Sequence, residues 1–522
     1  MKKKVRQNLL IKNDKKRKNL PKKFISKKIK KIKKEIKNLD GNNWTKIILI
    51  CVLLFLRISF NNNTNEIIEK VFNNNNIMHE LYDKDFNGNS TCDLLDPIHV
   101  FNNRLQNQQI KLCENENTKH ICYNDNSKYK NIFFERNGIL CIMENIIIDP
   151  SKSKQGNFIY KGPVDKKNRG LPLISKGFLN AKCKFNNIKL KKNNMYDSYL
   201  NSWHYDYNLE NEELEELAPG KTVFLLSRNQ DSPNFYHGNC EIINVISMMY
   251  LFNLSPENIQ VLFMESIEIP NDPFYDIYKN MLSKGGEPIY LKNLKKKYKI
   301  SKAIHVPLLW DSPAFSFMKS PKCDSTTKTY KLYNDLIDKY MNIKPFIDTF
   351  ISDNKTAYYP DKVIKMHEKN IKFKKIVTIQ WRKVWPEGRI GQTRLLGNGP
   401  QIVDKLASVL PDNILIRLIN TASLSIKEQI SLAKSTDYFI GIHGAGLALS
   451  IFMPKTSILH EIKSHAKNPL LTTMSSMSGH KTYSDILKSE TNKINGNTYI
   501  FFDEETFSKS VLDYMKKNNF FD

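Results

Sequence analysis

The residues of this 522-residue chain that say most about chemistry are Thr436-Asp437-Tyr438-Phe439-Ile440-Gly441-Ile442-His443-Gly444-Ala445-Gly446-Leu447. An apolar strand pattern ends in a loop of small residues, and a helix pattern begins at once. Such a junction aims backbone N–H groups at an anion, and its glycines let a diphosphate come close. His443 adds a side-chain donor at the same spot. A tight strand-to-helix turn whose glycines serve packing is the other reading. A second cluster, Gln380-Trp381-Arg382-Lys383-Val384-Trp385-Pro386-Glu387-Gly388-Arg389 followed by Arg394, stands at the carboxyl end of another strand pattern. Ligands of open α/β sheets bind outside those ends, and guanidinium forks match phosphate oxygens. Glu461 closes the last strand pattern, either as an acceptor for ribose hydroxyls or as an ordinary strand-end acid. His237, in Asn234-Phe235-Tyr236-His237-Gly238-Asn239-Cys240-Glu241, stands where a strand meets a helix. An imidazole there suits a general base. Asp231, Glu241 and Asp311 are its rivals, and a helix-capping role is the alternative for His237 itself.

Strand and helix patterns alternate from Lys221 onward, the signature of parallel α/β architecture. Strands are expected over 221–227 and 258–264, with helices over 239–252, 272–283 and 329–341. A second block has strands over 373–381, 413–420, 437–442 and 456–462. Its helices fall over 400–410, 425–435 and 446–453, and Ser425 with Glu428 forms a capping box that starts one of them. The two blocks read as two Rossmann-like domains, 221–365 and 366–480, followed by a tail with a helix over 481–522.

The run from Asp437 to Leu447, with Glu428-Gln429 before it and Phe452-Met453-Pro454 and Glu461-Ile462 after it, resembles the G-x-H-G-A-G-L signature of glycosyltransferase family 61. That family includes plant β1,2-xylosyltransferase, the EGF-domain O-GlcNAc transferase and the protein O-mannose β1,4-GlcNAc transferase. The segment around His237 resembles the family's acceptor-domain segment, and Arg382 to Asn398 its arginine-containing segment. The resemblance implies a GT-B fold, an inverting mechanism and a UDP-sugar donor, xylose or N-acetylglucosamine, used on a glycoprotein or polysaccharide. Carried over position by position, it implies that His443, Gly444 and Gly446 hold the diphosphate, with Arg382 as a further anion partner and Glu461 near the ribose. Arg389, Arg394 and Ala445 join the expected donor site from their place in the two clusters, and His237 is the first choice for the base. Neither α/β block contains Asp-x-Asp, so no metal cofactor is expected: arginines and a helix N-terminus take over at the leaving diphosphate. A non-catalytic relative that binds glycans or scaffolds other proteins is the competing reading.

The net charge of +27 at first suggests nucleic acid. Residues 1–40, however, hold 18 Lys or Arg against three acids, so +15 of the excess lies in one leader and +12 in the other 482 residues. The leader lacks the interleaved aromatics of a nucleic-acid groove, and no nucleic-acid partner is expected. Ile47 to Leu56 follows without a polar residue other than Cys51, flanked by Trp44, Lys46 and Arg57. The expected organisation is a basic cytosolic arm (1–43), a signal anchor (44–60), a stem (61–91) and a Cys-bearing lumenal region (92–220). This makes a single-pass type II protein of the Golgi or endoplasmic reticulum membrane. Seven cysteines then lie in the lumen, where they read as a disulfide framework with one left over.

Overall fold

The computed structural model describes residues 91–107, 109–114, 118–123, 140–154, 158–159, 173–174, 177–183, 213–228, 234–264, 267–268, 272–284, 286–307, 312–315, 323, 325–345, 356–383, 394–463 and 470–522. All of them belong to one of the chain's two compact units, Phe72–Asp522. The basic arm, the anchor and the stem up to its last residue lie outside the described residues, as do Arg389, Asp231 and Asp311. Among the described residues no helix is long and apolar enough to cross a membrane.

The architecture is mixed α/β, with two sheets that each have a parallel core. In the first, β1 (Gln109–Glu114), β2 (Lys119–Tyr123), β3 (Leu140–Ile148), β4 (Leu179–Ala181), β5 (Thr222–Leu226), β6 (Ile259–Phe263), β7 (Ile289–Tyr290) and β8 (Tyr298–Val306) take the order β1-β2-β3-β8-β5-β6-β7, with β4 beside β3. Strands β8, β5, β6 and β7 run parallel, and β1 to β4 extend them antiparallel. Every residue of β5 and β6 is buried, as strands covered on both faces must be. Residues 92–220, expected as a separate region, therefore complete this sheet.

Disulfides join Cys92 to Cys323, Cys113 to Cys183 and Cys122 to Cys141, the last across directly paired positions of β2 and β3. The seventh cysteine, Cys240, is a buried free thiol.

The second sheet contains β9 (Ala357–Tyr358), β10 (Lys375–Gln380), β12 (Ile414–Ile419), β13 (Tyr438–Ile442), β14 (Ile458–Lys463) and β15 (Lys481–Ile486), in the order β9-β12-β10-β13-β14-β15. All but β9 are parallel. A small sheet of β11 (Leu395–Leu396), β16 (Ser489–Ile494) and β17 (Asn497–Phe502) stands beside it. Residues 481–522, expected as a tail, thus supply a strand of the main sheet, two of the small one and a terminal helix.

Among the described residues the α-helices of eight or more residues are α1 (Pro97–Asn107), α2 (Phe235–Leu251), α3 (Lys328–Met341), α4 (Asp361–Glu368), α5 (Gly399–Val409), α6 (Ile426–Lys434), α7 (Leu470–Met477) and α8 (Glu504–Lys517). The Ser425–Glu428 capping box starts α6 as its residues require. Two expected helices differ. Residues 272–283 form a single turn, Tyr275–Ile277, that loosens into a π-helix, Tyr278–Leu282. The helix after the small-residue loop is a 3₁₀-helix, Ala445–Phe452, tightened by bonds such as Leu447 N–H to Gly444 O at 3.0 Å.

This 3₁₀-helix joins the two halves. Helix α2 packs against it, Asn334 of α3 donates to Ile451 O at 2.8 Å, and the rings of Tyr333 and Phe452 meet edge to face. Thr327 N–H reaches Met477 O of α7 at 2.8 Å.

Three buried histidines make this core sensitive to acid. Burial pulls His120 down to about 3, with His305 nearby adding to the shift. It pulls His460 and His480 down to about 4. The unfolded chain, with histidines near 6.5, therefore binds more protons than the folded one below that pH. Their stabilisation is complete above about pH 6.5 and is lost as pH falls toward 4. Asp96, raised by burial, works the other way but is one group against three. The urea midpoint is expected to drop clearly between pH 7.5 and pH 5; equal midpoints would contradict the buried neutral state.

Candidate active site

Strand β10 is the first of the parallel set in the chain, with its successor β12 on one side and β13 on the other. The strand order reverses between β10 and β13, and ligands of open α/β sheets bind at the carboxyl ends beside such a switch point. Gln380 ends β10 and Ile442 ends β13, so Arg382 and the His443–Gly446 loop leave the sheet at that place.

The space around the loop explains its glycines. The backbone of Gly444 is extended, a conformation open to any residue, but a Cβ there would stand 2.0 Å from Arg382 Nη1. At Gly446 it would stand 1.7 Å from Gln380 Nε2. Two side chains from the end of β10 thus lie against the loop. Arg382 Nη1 donates to His443 O at 3.0 Å, and Gln380 Nε2 donates to Thr421 Oγ1 at 2.9 Å. The glycines thus leave room for a guanidinium at position 444 and for an amide at position 446.

Burial, with the Arg394 guanidinium nearby, pulls Arg382 down to about 10. Arg394 is itself lowered by burial, and the carboxylate of Glu461 works against that shift. Its φ of 67° is left-handed, a conformation that costs a side-chain-bearing residue about 1 kcal/mol or more. Two half-buried guanidiniums therefore stand together at the switch point.

The side chain of Glu461 is fully buried; Oε1 accepts from His443 Nδ1, and Oε2 lies 3.1 Å from Lys463 Nζ. Ala445 opens the buried 3₁₀-helix.

His237 is the third residue of α2 and is half-buried. The capping role belongs to Asn234, whose Oδ1 accepts from Tyr236 N–H at 3.1 Å and from His237 N–H at 3.4 Å. Phe274 packs on Gly238, where a Cβ would meet its ring at 2.2 Å, and this sets the first turn. Glu241 is buried one turn further along. Because α2 packs on the 3₁₀-helix, His237 and the His443 loop sit on touching elements.

The structure thus brings together Arg382, Arg394, His443, Gly444, Ala445, Gly446 and Glu461, with His237 on the neighbouring helix. Gln380 and Lys463 were missed as site residues. A signal for each existed: Lys463 follows Glu461 by two residues and so shares its face of β14, and Gln380 is a polar residue ending a buried strand.

A family model described as Glycosyltransferase 61 matches residues 276–459. The match takes in Arg382, Arg394 and the His443–Gly446 loop, and leaves out His237, Glu461 and Lys463. No curated protein matches the chain.

Proposed function

Because the chain carries a glycosyltransferase family 61 domain and is a glycosyltransferase, we propose that it is an inverting enzyme that uses a UDP-sugar, xylose or N-acetylglucosamine, on a glycoprotein or polysaccharide. The observation that carries this reading is the pair of half-buried guanidiniums at the switch point, Arg382 and Arg394, beside a single buried carboxylate. Neighbouring cations are costly without a counter-charge, and a diphosphate supplies one. The two parallel-cored sheets support a GT-B arrangement, with the donor on the second and the acceptor near His237.

In this reading His237 takes the proton of the acceptor hydroxyl as its oxygen attacks the anomeric carbon. The bond to the diphosphate breaks on the opposite face, and the electron pair leaves with UDP. Arg382, Arg394 and His443 stabilise the charge that develops on the leaving oxygens. These cations take the place of a divalent ion, so no metal is needed. The basic arm and the anchor expected at 44–60 support a reading in which the enzyme sits in a Golgi or endoplasmic reticulum membrane with its catalytic part in the lumen.

A panel of UDP-sugars tests the reading on the purified chain. Hydrolysis or transfer of one sugar is expected, at the same rate with and without EDTA. Loss of rate in EDTA would overturn metal independence, and UDP binding without any turnover would favour a glycan-binding relative.

A further inference from the structure

Lys463 lies deep beside the candidate donor site, its side chain 8% exposed. A buried ammonium is expensive unless paired, and the partner Lys463 has here is Glu461 Oε2 at 3.1 Å. Glu461, 0% exposed, spends its other oxygen on His443 Nδ1. The three side chains form a row in which the fully buried Glu461 stands between Lys463, 8% exposed, and His443, 16% exposed. Glu461 is closed off from water, so its orientation depends on the groups it touches, and Lys463 is the cation at its Oε2.

The consequence for His443 is a choice of nitrogen. A carboxylate only accepts, so Nδ1 must carry a proton, and Nε2 is the atom left for a ligand; a phosphate oxygen also only accepts, so Nε2 meets it as a second N–H. We propose that Lys463 is a positioning residue for nucleotide binding: it holds Glu461 aligned, so that His443 stays bonded through Nδ1 and its Nε2–H donates to the diphosphate. This rests on the donor-site reading above. Without Lys463 the carboxylate would keep His443 and the field of Arg394 but lose the cation at Oε2, and it would turn away. That change releases the imidazole.

The test compares the full chain with Lys463→Met, similar in length without the charge, and Lys463→Arg. Two readouts are needed: UDP affinity by calorimetry, and histidine-ring ¹⁵N–¹H spectra in which His443 is assigned by its loss in His443→Gln. The wild type is expected to show His443 protonated at Nδ1. Lys463→Met is expected to weaken UDP binding about tenfold and to mix the ring's protonation states, and Lys463→Arg to restore both. Unchanged UDP affinity in Lys463→Met, or weaker binding with the ring pattern unaltered, would overturn the proposal. So would a mixed ring state in the wild type, a readout that stands even if the methionine variant fails to fold. Failure of the wild type to bind UDP at all would instead overturn the donor-site reading, and the ring spectra would still decide what Lys463 does.

Discussion

His237→Ala is expected to slow sugar transfer by about two to four orders of magnitude while UDP affinity stays within about twofold of the wild type. The separation follows from where the residue stands. His237 lies in the first turn of α2, on the half of the molecule opposite the guanidinium pair, so its loss does not touch the proposed diphosphate site. Its backbone N–H is taken by Asn234, which keeps the helix start intact when the ring is removed. Alanine is the best helix former, so the change costs α2 little propensity. Kinetics with a saturating donor measure the effect as a fall in kcat. Full turnover in His237→Ala would remove it as the base and turn attention to Glu241, buried one turn along the same helix. A loss of both folding and activity would be recognised by the urea midpoint, which is expected to hold.

Arg382→Met should lower kcat/KM by about two to three orders of magnitude, the usual cost of a lost donor at a leaving group. Here the expected signature is the opposite of that for His237, because UDP binding weakens together with turnover. Arg382 has two tasks that one substitution removes. Its Nη1 ties down His443 O, which holds the loop in shape, and its remaining N–H groups are proposed to bond the phosphates. Arg382→Lys is not expected to rescue. An ammonium has no planar fork with which to bond a carbonyl and a phosphate at once. The glycine at 444 is shaped for a guanidinium, since any Cβ there would meet Nη1. Wild-type UDP affinity and kcat in Arg382→Met would place the donor elsewhere.

Much of the local structure was legible from residue order. Strand β13 is Tyr-Phe-Ile-Gly-Ile and β12 is Ile-Leu-Ile-Arg-Leu-Ile; runs this apolar are stable only as strands covered on both faces. Ser425 with Glu428 announced the start of α6 through bonds that span three residues. The seven cysteines that follow the apolar run cannot all pair among themselves, and the one left over is Cys240. The His443 loop and the arginines after β10 were recognisable because an anion site at a strand end is a short-range pattern of glycines and cations.

Tertiary structure decided which of these residues act on one another. That Gly444 admits Arg382 and Gly446 admits Gln380 depends on β10 lying beside β13, and these strands are some sixty residues apart in the chain. That Glu461 supports His443 depends on the pairing of β13 with β14. Residues 481–486 look too polar for a sheet by composition, yet they form its edge, where one side meets water. Periodicity and capping are set by neighbours a few residues away, so the sequence by itself determined the elements and their chemical endowment. Strand order and contacts across strands are set by the burial of whole faces against one another, and only the folded chain could assign Glu461, Lys463 and Gln380 their partners.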